Sequence, residues 1–257
     1  MTTLENSDIV VYPAHPTINI NKFVEFQRNT LSRPLIVFFN DDSDQKLPVR
    51  DNTYIFRTSF YKSTQLGHEY ALPGWSADFG TTNSRKWAEQ PVISFCGQLY
   101  PLAIRKMALR ILKKDPRVIC DFIERSKFWG DAITNPELSY EVRKEFIENI
   151  NNGDYVLCAR GGGNFSYRLY ETMMSGRIPL FIDTDCVLPF DNYINWNKLF
   201  PVVKINEINN IVDILLEFHN KSKENFIEIQ NNLRRIWEEW LSPYGFFKNI
   251  NRVVKEI

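Results

Sequence analysis

Short, continuous apolar runs punctuate the first two thirds of this chain, and they constrain the fold more than any other feature. They are "IVVYP" from Ile9, "PLIVFFN" from Pro34, "TYIFRTS" from Thr53, "PVISFCG" from Pro91, "RVICDFI" from Arg117, "YVLCA" from Tyr155 and "IPLFI" from Ile178. A strand with one wet face alternates polar and apolar residues. An unbroken apolar run of this length belongs to a strand covered on both faces, as in a parallel sheet with helices on either side. Between the runs lie helical patterns, "LAIRKMALRILKK" from Leu102 and "NPELSYEVRKEFIENINNG" from Asn135. The second carries Pro136 near its start and Gly153 just past its end, the usual asymmetry of helix termini. From Asn206 the pattern is helical almost to Ile257, with a break near "LSPYG" at Leu241. The chain is therefore of the α/β class.

With 257 residues, 44% hydrophobic and 14% aromatic, there is material for two modest domains. The Gly-, Pro- and Ser-rich segment Ala71 to Pro91 separates two strand clusters, which predicts domains over residues 1–88 and 89–257, the last helix crossing back. The 31 basic and 31 acidic residues cancel, so no global field draws in nucleic acid or an anionic membrane. The start "MTTLENSDIVVYP" has no basic leader, and no apolar stretch reaches the roughly 18 residues of a membrane span, so the expectation is a soluble, cytoplasmic protein. Cys96, Cys120, Cys158 and Cys186 are widely spaced without a C-x-x-C pair, and read as reduced, buried thiols.

The stretch "YVLCARGGGNFSYRLYETMMSGRIPLFID" from Tyr155 concentrates the chemistry. It reads as a strand, a loop over Gly161, Gly162 and Gly163, a helix with Ser166 at its N-cap and Gly176 at its end, and a second strand. Glycine amides and a helix amino terminus suit a phosphate, and Arg160 and Arg168 add full positive charges. Neither common phosphate motif fits. The P-loop lysine is missing, and Ser166 stands where the dinucleotide fingerprint needs its last glycine. The competing reading is a plain turn whose glycines permit positive φ, with Arg168 and Glu171 an exposed i, i+3 pair worth about 0.2 to 0.5 kcal/mol.

A longer pattern extends from this stretch: Cys158, Arg160, Gly161, Ser166, Arg168, Glu171, Ser175, Gly176, Pro179, Asp183, Leu188, Pro189, Phe190 and Trp196, in order. It resembles the core signature of the exostosin family of glycosyltransferases, with a looser likeness upstream through "ISFCGQLYPLAIRKMAL" and "DNTYIFRTSFYKS". The resemblance implies a GT-B architecture, two Rossmann-like domains across a cleft with a C-terminal helix. It further implies a nucleotide-sugar donor, UDP-linked, held mostly by the second domain, a glycan hydroxyl as acceptor, and inversion. By the same resemblance Glu171 accepts the ribose hydroxyls. Ala159 departs from the proline common there, and a membrane anchor and second catalytic domain are not expected, so long-chain polysaccharide synthesis is not implied.

Sugar transfer requires stabilisation of a nucleoside diphosphate leaving group, by a metal ion or by arginines and a helix terminus. Arg105, Arg160, Arg168 and the Gly161 to Gly163 amides suit the second route, so no metal or cofactor is expected. Two D-x-D patterns, Asp42 to Asp44 and Asp183 to Asp185, keep a metal-dependent GT-A reading open. A catalytically silent nucleotide- or glycan-binding protein is the alternative of another class. For inversion the base comes from the amino-terminal side, where Asp41, Asp42, Asp44, His68, Glu69 and Asp78 are candidates. Asp42, Asp44 and Asp78 lead, Asp78 lying near Trp75, an aromatic on which a sugar could stack. Arg57 either lines the acceptor side with Trp75 or is buried against a carboxylate. His15 and His219 lack metal-ligand spacing, and Trp237 and Trp240 read as packing anchors.

Overall fold

The computed structural model describes residues 9–14, 20–30, 33–40, 44, 46–80, 83–99, 103–127 and 136–254. The first domain is a four-stranded sheet, β1 (Val10–Ala14), β2 (Leu35–Phe39), β3 (Thr53–Arg57) and β4 (Glu69–Ala71), all parallel and in sequential order. Between β1 and β2 runs α1 (Ile20–Asn29). It covers one sheet face, where Phe23 packs with Leu35, Val37 and Ile55. A 3-10 turn (Lys62–Thr64) interrupts the crossover from β3 to β4.

The second domain holds β5 (Val92–Gln98), α2 (Ala103–Lys114), β6 (Ile119–Arg125), α3 (Pro136–Asn152), β7 (Tyr155–Cys158), α4 (Tyr167–Met174), β8 (Ile178–Asp183) and β9 (Val202–Lys204). Helices α5 (Ile211–Lys221), α6 (Phe226–Ile236) and α7 (Pro243–Val253) follow. The sheet is parallel with order β6-β5-β7-β8-β9. The chain moves outward from β5 to β6, then returns past β5 to β7, so the winding reverses between β5 and β7. In an open parallel sheet that reversal parts the loops at the carboxyl ends and leaves a crevice. No such reversal occurs in the first sheet.

Local chemistry sets the elements around the crevice. At the end of α4, Gly176 takes φ +63, the left-handed region that a Cβ disfavours. This lets the Gly176 amide reach Met173 O at 3.0 Å and the Arg177 amide reach Thr172 O at 2.9 Å, a Schellman closure. The turn sends Arg177 straight into β8.

The other face of the first sheet is covered by the far end of the chain. After a π-helical turn (Trp237–Leu241), α7 crosses back, with Phe246 against Phe56 at 5.7 Å and Phe247 against Phe38 at 5.5 Å between ring centroids. Burying Phe246 contributes about 2 to 3 kcal/mol. The turn into α7 is tight: a Cβ on Gly245 would lie 2.6 Å from Glu238 O in the π-helical turn.

One expectation changes. "RVICDFI" is an edge strand, β6, with Ile119 exposed, so its second face is not covered. The segment after Ala71 has no regular structure but is tied along the second domain. Ser84 meets Asn231, Arg85 meets Asp154 and Gln230, and the Trp87 indole donates to His219 O. The hydrogen-bonded first sheet ends at Ala71. His219 is fully buried, bonded to Tyr155 and Ala88 and stacked on Trp87, so its role is packing.

Candidate functional site

The crevice between the carboxyl ends of β5 and β7 is lined with arginine. Arg105, on the first turn of α2, spans it: its guanidinium donates to Gln98 O at 2.5 Å on one side and to Arg160 O at 2.8 Å on the other. Arg168, on α4, donates to Cys96 O at 2.5 Å. The two guanidinium groups share the Phe95 ring, at 5.5 and 4.6 Å from its centroid. Gly97 makes room, since a Cβ there would stand 2.7 Å from Arg168 Nη2.

Neither Arg105 nor Arg168 has a carboxylate within ion-pair distance among the described residues. Burial, and then the charge of Arg168, pulls Arg105 down to about 10. Arg168 is likewise lowered, chiefly by burial. Their Nε–H groups and that of Arg160 are buried without acceptors among the described residues. Unpaired buried charge of one sign is costly, and a bound anion offsets it.

Against this positive crevice lies the glycine loop. Gly161, Gly162 and Gly163 have no positive φ, so the permissive-turn reading does not explain them. Nor does crowding explain the first two. A Cβ on Gly161 would meet only Phe165 O at 4.0 Å, and one on Gly162 would meet nothing within 4 Å. The Gly161 amide donates to Phe165 O at 3.0 Å, while those of Gly162 and Gly163 find no acceptor among the described residues. Ser166 occupies the N-cap position of α4, but its side chain accepts no capping bond, which leaves the first helical amides without that partner.

The loop is docked onto the first domain through Asn164. Its amide donates to Asp44 Oδ1 at 3.0 Å and to Ser59 Oγ at 2.5 Å. Its carboxamide donates to Phe60 O at 3.0 Å and accepts from Thr184 at 2.6 Å. Arg160 reaches the Tyr61 hydroxyl at 2.7 Å and Asp44 at 3.4 Å. Burial pushes the Asp44 carboxyl up, but hydrogen bonds from Ser59, Asn164 and Tyr61 and the Arg160 charge together hold it below its ordinary value. Asp44 is thus engaged on both oxygens. Asn164, Ser59 and Tyr61 were invisible as site residues in sequence, because their partners lie about a hundred positions away.

Glu171, one turn further along α4, is buried rather than solvated. Burial raises its carboxyl above the ordinary range, against the charges of Arg168 and Arg143 and a hydrogen bond from Ser76. Arg143 of α3 lies 3.8 Å from it and stacks over Phe79 at 4.4 Å. Arg168 and Glu171 are therefore not an exposed surface pair.

Other predicted residues lie elsewhere. Arg57 is buried against Glu69 at 2.9 Å between the rings of Phe39 and Phe60, so it does not line the cleft. Trp75 donates to Leu241 O and packs on Phe246, as a wedge under α7 rather than an open sugar platform. Asp78 is clamped by Arg234 at 2.8 Å through both oxygens, and that bonding lowers its carboxyl. Asp183 accepts from the Asp185 amide, and Asp185 accepts from Ser63. Asp41 and Asp42 lie outside the described residues, as does His15. Among the described residues no group of three His, Cys, Asp or Glu side chains is arranged to hold a metal.

Two parallel-sheet Rossmann-like domains, the second with its strand order reversing between β5 and β7, define the GT-B class of fold. The crystal structure of TarM superposes with a TM-score of 0.50 over 95% of this chain and 54% of that one, at 11% identity. Residues 80–218 match the model of the Exostosin GT47 domain, and the chain belongs to that family. It is 26% identical over 167 residues to "Exostosin-1 homolog" of Caenorhabditis elegans, covering 62% of this chain and 42% of that protein. It is 31% identical over 86 residues to "Probable glucuronosyltransferase 47 A" of Physcomitrium patens, covering 33% of this chain and 19% of that protein. The chain thus spans less than half the length of these relatives.

Proposed function

We infer that the chain transfers a sugar from a nucleotide-sugar donor to a glycan hydroxyl. The observation that carries this reading is the arginine pair of buried Arg105 and half-buried Arg168, neither with a carboxylate within ion-pair distance among the described residues, facing a glycine loop in which neither φ nor crowding requires Gly161 or Gly162. Such a site calls for a ligand with concentrated negative charge that approaches the backbone closely, as a diphosphate does. Arg105, Arg160, Arg168 and the Gly162 and Gly163 amides would hold the diphosphate and stabilise the charge that develops as the anomeric bond breaks. Glu171 would accept the ribose hydroxyls of a UDP-linked donor. Leaving-group stabilisation by arginine makes a metal ion unnecessary in this reading.

With inversion, the acceptor hydroxyl is deprotonated from the first-domain side. Asp44, held by Ser59, Asn164 and Arg160, and Asp78, held by Arg234, are both engaged, so of the three leading candidates Asp42 is the preferred base. The four free cysteines fit a reducing, cytoplasmic setting.

The test is a panel of nucleotide sugars read by thermal shift and by donor hydrolysis, with and without EDTA. Stabilisation by UDP-sugars and activity that survives EDTA are the expected outcome. If no nucleotide stabilises the protein, the transferase reading falls, and EDTA-sensitive activity would transfer the leaving-group role to a metal.

A further inference from the structure

Beside the carboxyl end of β8 a cavity of about 550 Å³ opens between the loop Cys186–Asn197 and Lys62 of the first domain. It is within the size range of small-ligand sites, about 300 to 1,000 Å³. The adjoining Thr184 donates to Asn164, so the cavity and the glycine loop lie on either side of one short segment along the interdomain cleft. None of the residues assigned above to the diphosphate or the ribose lines it.

Its lining has a definite chemistry. Asn192, Asn195 and Asn197 present carboxamides with no hydrogen-bond partner among the described residues, each able to donate and accept. Asp183 has one oxygen on the Asp185 amide at 2.9 Å, and Asp191 lies 3.8 Å from Lys62. The aromatic walls are tied by their polar ends. The Trp196 indole donates to Pro189 O at 3.1 Å and the Tyr193 hydroxyl to Arg252 O at 2.9 Å, which leaves their carbon surfaces as walls. The loop is also held in strained backbone, with Asp185 at φ 65 and Phe190 at φ 54. Left-handed backbone at a bulky aromatic costs of order 1 to 3 kcal/mol and concentrates at functional sites.

We propose that this cavity is a saccharide subsite and that it takes neutral sugar residues of the acceptor. Carboxamides and carboxylates beside aromatic carbon suit a ligand dense in hydroxyls. Two carboxylates against one ammonium leave the lining net negative, which disfavours a uronate or sulfated sugar. The acceptor role rests on the transferase reading; the saccharide site itself does not.

The test is ligand-observed NMR titration of the full chain, without nucleotide. The probes are neutral gluco-, galacto-, manno- and xylo-configured trisaccharides and an oligogalacturonate of the same length. Expected is binding of at least one neutral probe in preference to the oligogalacturonate. Its Kd should rise at least tenfold in the double variant Asn195→Ala/Asn197→Ala, whose folding is checked by thermal melt. Binding that is unchanged in the variant, stronger for the oligogalacturonate, or absent for every probe overturns the proposal. UDP binding by the same wild-type preparation tests the donor site separately. Saccharide binding without UDP binding supports the subsite and sinks the donor reading, and the converse sinks the subsite alone.

Discussion

Replacing Gly162 by alanine separates the two reasons a loop keeps glycine. The added Cβ would meet no heavy atom within 4 Å, and the residue does not have the positive φ that would strain an alanine. Folding stability should therefore hold or improve by about 0.4 to 1 kcal/mol, through a less flexible unfolded chain. A diphosphate accepting from the Gly162 and Gly163 amides, however, approaches where that methyl would stand. Losing one charge-assisted contact of about 1.5 to 3 kcal/mol corresponds to roughly a 10- to 100-fold rise in the Kd of UDP. Urea denaturation and calorimetric titration of the variant measure both quantities. Unchanged UDP affinity at unchanged stability would refute the idea that Gly162 faces a ligand. A stability loss above about 2 kcal/mol would show a structural need that the open space around it conceals.

Three further variants address the rest of the site. Asn164→Ala strands Phe60 O and Thr184 Oγ1 in the interior; a loss of about 2 to 4 kcal/mol in denaturant unfolding is expected, and less than 1 would show that the loop is not pinned there. Glu171→Gln should weaken UDP binding yet stabilise the fold near neutral pH. A carboxyl raised by burial loses stability as pH climbs from its unfolded value, about 4.3, through its folded one. The gain should vanish below about pH 4, and a variant less stable than wild type at pH 7 would contradict the raised value. Gly97→Ala should push the Arg168 guanidinium off Cys96 O at little cost to folding, because the obstructing atom ends a flexible side chain. Its signature is weaker UDP binding with a melting temperature within a few degrees of wild type.

What could be read from sequence was local. The unit from β7 to β8 was legible because its strand run, glycine turn and the left-handed Gly176 are written within thirty consecutive residues. Pro136 and Gly153 marked α3 for the same reason. The strands β4 and β9 escaped notice because three residues carry no periodicity. α1 is amphipathic but only ten residues long, too short for its period to stand out from the polar residues around it. Side-chain roles that depend on distant partners were not legible at all. Arg57 could have faced cleft or core until Glu69 came beside it, and nothing in "GGGNFS" announces that Asn164 joins two domains. The long ordered signature compensated in part, because it fixed which arginines and which carboxylate belong together without saying how they are paired.

The return of α7 to the first sheet gives the molecule a mechanical property that neither domain has alone. The backbone passes between the domains twice, once after β4 near Leu72 and once through the π-helical turn at Trp237–Leu241. A body joined at one point can swivel in any direction. One joined at two points turns most freely about the line between them, so opening and shutting cost less than shear or twist. For a site assembled from opposing walls, such a double connection would favour any separation that returns the faces to the same register.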